Sequence, residues 1–89
     1  MDSELCEHIR EVREVQLPDQ PTCVVCVQTG DRWVHLRTCQ ACGQTHCCDS
    51  SANRHATKHA WDSGHPVVAS AEPGERWLWC YPDKQFVQY

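Results

Sequence analysis

The 89-residue sequence predicts one small α+β domain over residues 1–89, an antiparallel sheet of about five short strands with one or two helices. Three observations predict it. Residues 32–38 and 76–81 alternate with the period of two that a half-buried strand requires. One stretch, from about Ser50 to Trp61, carries helix-start and helix-stop residues. Eight Cys and six His sit in a chain too short to hold itself with apolar burial alone.

From the N-terminus, Ile9, Val12 and Val15 fit a helical stripe within residues 5–17, although their β-branching leaves an extended reading open. Pro18 and Pro21 end this segment. Cys23-Val24-Val25-Cys26 is a first C-x-x-C knuckle, and Thr29-Gly30-Asp31 is a turn. In residues 32–38, Trp33, His35 and Arg37 share one face, and Val34 and Leu36 the other. Cys39 to Cys42 forms the second knuckle, with Gly43 after it. Ser50 or Ser51 can N-cap a helix that Gly64 ends. Residues 65–70 read as a short strand, and Glu72-Pro73-Gly74-Glu75 as a turn. In 76–81, Trp77, Trp79 and Tyr81 face one way, and Arg76, Leu78 and Cys80 the other. Residues 85–89 suit a last strand.

Eight Cys can make four disulfides, but only in an oxidising compartment. The charged start MDSELCEHIREVREV has no apolar run of the kind a secretory signal carries, and no stretch approaches a membrane span. A disulfide scaffold also leaves the His clustering unexplained. Metal binding in a cytoplasmic, monomeric chain is therefore expected. The net charge of -4 falls to about -5 when seven thiolates are offset by three divalent ions. No Lys/Arg run is present, so neither nucleic acid nor membrane is an expected partner.

Cys thiolate and His imidazole suit tetrahedral zinc, and each C-x-x-C supplies half a site. Cys6-Glu7-His8 adds two more donors, and Cys80 is a distant single. A rival exists. Cys39-x2-Cys42-x12-His55-x3-His59 has the spacing of a nucleic-acid-binding C2H2 finger. That finger's core needs an aromatic and a large aliphatic where this chain has His46 and Ala52, and it leaves Cys47 unused. Catalytic patterns fail as well. Ala56 stands where the general-base Glu of a His-x3-His zinc protease belongs. Thr22 interrupts the P-C-x-x-C of a deaminase, and no H-x-E precedes it.

The ordered set resembles the ubiquitin-protease-type zinc finger (UBP finger). It comprises C-x-H near the start, two knuckles, Trp33, Cys47 five residues after Cys42, the His55/His59 pair, Gly64-His65-Pro66-Val67 and Trp79-Cys80-Tyr81. The wording HLRTCQACG and NRHATKH, and the length, look most like stand-alone, single-domain actinobacterial members. The resemblance implies three Zn²⁺. One would take Cys23, Cys26, Cys47 and His55, and a second Cys39, Cys42, His59 and His65. A third would take Cys6, His8, Cys80 and a fourth donor. Three-zinc members commonly end C-x-x-C, whereas this chain has Cys80-Tyr81-Pro82-Asp83. Asp83 is the expected donor, with water or a turn-capping Asp as alternatives. His46 and Cys48 are left over.

The family also implies a non-catalytic protein-interaction module that binds the free, glycine-ended C-terminus of ubiquitin or a ubiquitin-like tail. Aromatics pack on the glycines and an Arg takes the carboxylate. Trp33, Trp79 and Tyr81 match the aromatic positions, which a small core also explains. The Arg expected after Cys47 is missing; Cys48 and Asp49 stand there, with Arg54 displaced nearby. The alternatives are a structural zinc scaffold without tail binding and a thiol or zinc redox-responsive domain. Hydrolysis at an open third zinc has no placed general base.

Overall fold

A computed structural model describes residues 6–48 and 53–89. It contains α1 (Glu7–Arg10), α2 (Val24–Thr29), β1 (Leu36–Cys39), β2 (Thr45–Cys47), α3 (His55–Ser63), β3 (Val67–Ser70), β4 (Trp77–Cys80) and β5 (Gln85–Gln88). The five strands form one antiparallel sheet in the order β2-β1-β3-β4-β5. The α+β class and the strand number are as the sequence predicts. Among the described residues the helices number three rather than one or two.

Register decides which side chains share a face, because directly opposed residues point the same way. Leu36 opposes Cys47, Thr38 opposes Ala69, and Ala69 opposes Leu78, which opposes Val87. On this first face Val67, Ala69, Leu78 and Cys80 are buried under Ile9, with Val12 and Val15 packed beside them. Both readings of the first segment hold in part. Residues 7–10 are helical, while 11–17 run on without helix and keep their valines on the sheet. Further along this face Leu36 and Cys47 join Cys23 and Cys26 of the α2 region, with Trp33 packed against them.

The second face carries Arg37, Val68, Ser70, Trp77, Trp79 and Phe86 by the same alternation. α3 packs over its β1 and β2 half. The β4 and β5 half keeps Trp77 and Trp79 half-buried and Phe86 exposed.

Several boundaries differ from the sequence reading. The first knuckle opens a helix, since Cys23 caps α2 by accepting from the Cys26 backbone N–H, and Gly30 ends it at φ 78°. β1 begins at Leu36, not at residue 32; the last β1–β2 ladder bond runs from the Cys48 N–H to the His35 carbonyl, and the Leu36 N–H donates to the Glu72 side chain. α3 begins at His55. Ser50 and Ser51 lie outside the described residues, and Arg54 holds the cap position with φ 49°. The His55 N–H is taken by Cys47 Sγ at 3.2 Å, so a sulfur does what a serine cap was expected to do. Gly64 ends α3 as expected, left-handed at φ 75°.

Leu78 is 4% exposed at the centre of the first face. Replacing it by Ala should cost about 2–5 kcal/mol. Chemical denaturation of the metal-loaded variant beside the parent measures this.

Candidate functional site

Seven cysteines, four histidines and one carboxylate gather into three groups of four. Cluster 1 is Cys23, Cys26, Cys47 and His55; cluster 2 is Cys39, Cys42, His59 and His65; cluster 3 is Cys6, His8, Cys80 and Asp83. Every sequence-expected ligand falls in its expected group, Asp83 included. All eight cysteine thiols are free, so the described chain has no disulfide.

The fold builds each cluster from remote elements. Cluster 1 joins the start of α2, the end of edge strand β2 and the first residue of α3. Cluster 2 joins the β1–β2 knuckle to α3 and to the loop before β3. Cluster 3 ties the α1 region to the end of β4 and the turn after it.

The spacings match a tetrahedral ion. Bonds of about 2.3 Å to sulfur and about 2.0–2.1 Å to nitrogen set S···S near ~3.8 Å, S···N near ~3.5 Å and N···N near ~3.4 Å. In cluster 1, His55 Nδ1 lies 3.3, 3.4 and 3.4 Å from the sulfurs of Cys23, Cys26 and Cys47, and Cys26 lies 4.0 Å from Cys47. In cluster 2, Cys39 Sγ is 3.5 Å from His65 Nδ1, Cys42 Sγ is 3.4 Å from His59 Nε2, and the two imidazole nitrogens are 3.3 Å apart. In cluster 3, Cys80 Sγ is 3.5 Å from both His8 Nδ1 and Asp83 Oδ2, as for a bound ion, but those two atoms are 2.9 Å apart, a hydrogen-bond distance shorter than the ~3.4 Å between two ligands of one tetrahedral ion.

Electrostatics make the same point. Burial, then the adjacent Cys23 and Cys47 sulfurs, push the Cys26 thiol up to about 12. Burial and then Cys6 raise Cys80 to about 12. Backbone N–H groups lower Cys23 instead, so the second thiolate of a cluster is the costly one, and a divalent cation between the sulfurs offsets that cost. The residues present fit such an ion in all three clusters.

His46 and Cys48 stand outside the clusters. His46 is buried and stacks on His59, with ring centroids 4.5 Å apart at 23°. Cys48 lines a depression of about 210 Å³ on the second sheet face, with Arg37, Trp77, Trp79, Tyr81 and Phe86. Trp79 and Tyr81 meet edge to face at 6.4 Å, and Tyr81 meets Trp61 at 6.4 Å. The other two residues expected to bind ligand sit elsewhere. Trp33 packs against cluster 1, and Arg54 is exposed at the cap of α3; neither lines the depression. Arg37 does. Its guanidinium lies 4.5 Å over Trp77 and donates to the Leu36 carbonyl. Sequence reading placed Arg37 on a strand face but gave no sign of its neighbours, which the register across β3 supplies.

Three Cys/His-rich clusters stapling one small sheet define a metal-binding finger. The chain belongs to the family described as Zn-finger in ubiquitin-hydrolases and other protein, whose model matches residues 23–89. It is similar to the solution NMR structure of Protein RPA1320 from Rhodopseudomonas palustris, at 41% identity and TM-score 0.81, over 93% of this chain and 80% of that one. No curated protein matches.

Burial, then the charges of His59 and His55, lower His46 from 6.5 to about 4. The unfolded chain therefore takes up this proton first, and stability falls as pH drops from about 6.5 to about 4. His46→Phe keeps a stacking ring and removes the proton. Its stability loss over that window should be shallower than the parent's, as read by denaturant titrations of both proteins with the bound metal counted at each pH, since ligand protonation releases metal in the same range.

Proposed function

We propose that this chain is a non-catalytic zinc module that binds a free, glycine-ended protein C-terminus, with one Zn²⁺ in each cluster. Bound zinc supplies the positive charge that keeps crowded thiolates ionised and packed. Four protein donors per cluster support a structural role, since catalytic zinc keeps a position open.

The depression beside β4 carries the binding reading. A glycine tail has no side chains and fits between aromatic walls; Trp77, Trp79, Tyr81 and Phe86 provide them. A terminal carboxylate needs a fixed cation. Arg37 is the cation that lines this depression among the described residues, and its stack on Trp77 fixes it in place. Only one of its five N–H donors meets the Leu36 carbonyl in the contacts described above. Arg37 therefore takes the role that the sequence resemblance expected after Cys47. A ubiquitin-like protein is the partner class this chemistry fits.

Zinc-loaded protein is titrated with a peptide ending Leu-Arg-Gly-Gly while NMR follows the Trp indole signals. The free acid should shift the Trp77 and Trp79 indoles, and the C-terminal amide should not. Arg37→Ala should weaken free-acid binding about tenfold or more while leaving the metal count unchanged. Silence from both peptides at millimolar concentration would leave a zinc scaffold without tail binding.

A further inference from the structure

Cluster 3 is built differently from the other two. Clusters 1 and 2 use only sulfur and imidazole; cluster 3 includes a carboxylate. Its His8 and Asp83 side chains are 40% and 44% exposed, whereas three of the four cluster 1 ligands are buried. Cluster 2 also has an exposed ligand, Cys42, but its donors come from a tight knuckle and from two histidines six residues apart around the end of α3. In cluster 3, His8 lies 72 positions from Cys80 and 75 from Asp83 in the chain. Solvent reaches it too. His8 lines a cleft of about 310 Å³ with Glu11, Trp61, Pro66 and Tyr81, and a second of about 330 Å³ with Glu11, Val12, Pro66 and Val67.

The segment that cluster 3 holds has few other anchors within residues 6–15. α1 is four residues long, far below the length at which a helix stands alone. Its neighbours supply one buried side chain, Ile9, two half-buried valines, and the Cys6 N–H bond to the Gln85 side chain; the next firm anchor is past its end, where Gln16 and Gln40 exchange hydrogen bonds. Beneath it lie Val67, Ala69 and Leu78.

We propose that cluster 3 is an exchangeable metal site, and that its occupancy decides whether residues 6–15 cover the apolar face of the sheet. This rests on the zinc reading above. Asp83 is the donor that leaves first, being exposed and the only carboxylate among the twelve ligands. A thiol or carboxylate chelator entering the His8 clefts then draws the ion out. Loss of the ion frees Cys6 and His8 from Cys80 and uncovers Val67, Ala69 and Leu78. Clusters 1 and 2 stay closed, so the rest of the sheet persists.

Zinc-saturated protein is first counted by native mass spectrometry. Three ions are expected; only two would defeat the zinc reading itself. A chromogenic chelator is then added stepwise while amide NMR spectra are recorded. One ion should leave before the others, moving amides of residues 6–15 and 80–83 while those of 23–47 stay in place. Asp83→Cys should slow that first release about tenfold or more, and Asp83→Ala should hasten it by a similar factor. Three ions leaving together, a first loss traced to Cys42 and His59, or unmoved 6–15 amides after the first loss would each overturn the proposal. The parent protein alone decides these outcomes if a variant fails to fold.

Discussion

His55 and His59 lie one turn apart on α3, so a single helix presents both imidazoles along one side. One belongs to cluster 1 and the other to cluster 2. The nine-residue helix is thereby pinned at its first residue and again one turn later. It has only Ala56 and Ala60 as buried residues, which contribute little apolar area. Packing of this kind does not hold a helix by itself. An ion in each cluster would, and would draw in β1, β2 and α2 through Cys39, Cys42, Cys47, Cys23 and Cys26.

This constraint explains why so much of the site was legible in the sequence. Donor spacing is a local property, so C-x-x-C, C-x-H and His-x3-His can be read directly. The partition among three clusters was implied by family resemblance, not by spacing, and the structure groups the residues the same way. The strands at 77–80 and 85–88 were legible for a similar reason, since one face is apolar and the other is half-open. β2 was not. All three of its residues are buried, so no alternation marks it, and its Cys47 reads as a ligand before it reads as a strand residue. The start of α3 was misplaced because its cap is a distant sulfur, Cys47 Sγ, which no local pattern reveals.

Arg37 shows where sequence reasoning runs out. Its role depends on two strand registers at once. It opposes Ser70 on β3, and extending the β3–β4 register by one residue sets Ser70 against Trp77. Ser70 is small, buried and turned toward the Glu75 carboxylate. A bulky residue there would fill the space between β1 and β4, which flank β3 at about 4.8 Å on either side. The gap lets the guanidinium cross over Trp77 instead. Nothing near Arg37 in the sequence encodes that contact.

The same alternation couples the metal clusters to the aromatic face. On β4, Cys80 points to one side of the sheet while its neighbours Trp79 and Tyr81 serve the other. On β1, Arg37 and Cys39 share the second face two residues apart, one at the depression and one in cluster 2. A ligand bond at Cys80 would therefore bear on the end of the strand that carries the aromatic walls, whose register its pairing with β3 and β5 sets. A bond at Cys39 would do the same for the strand that carries the cation. Small domains seldom have enough core to hold an exposed depression rigid. Here the clusters reach the depression through the backbone, from Cys80 next to Trp79 and Tyr81 and from Cys39 two residues from Arg37.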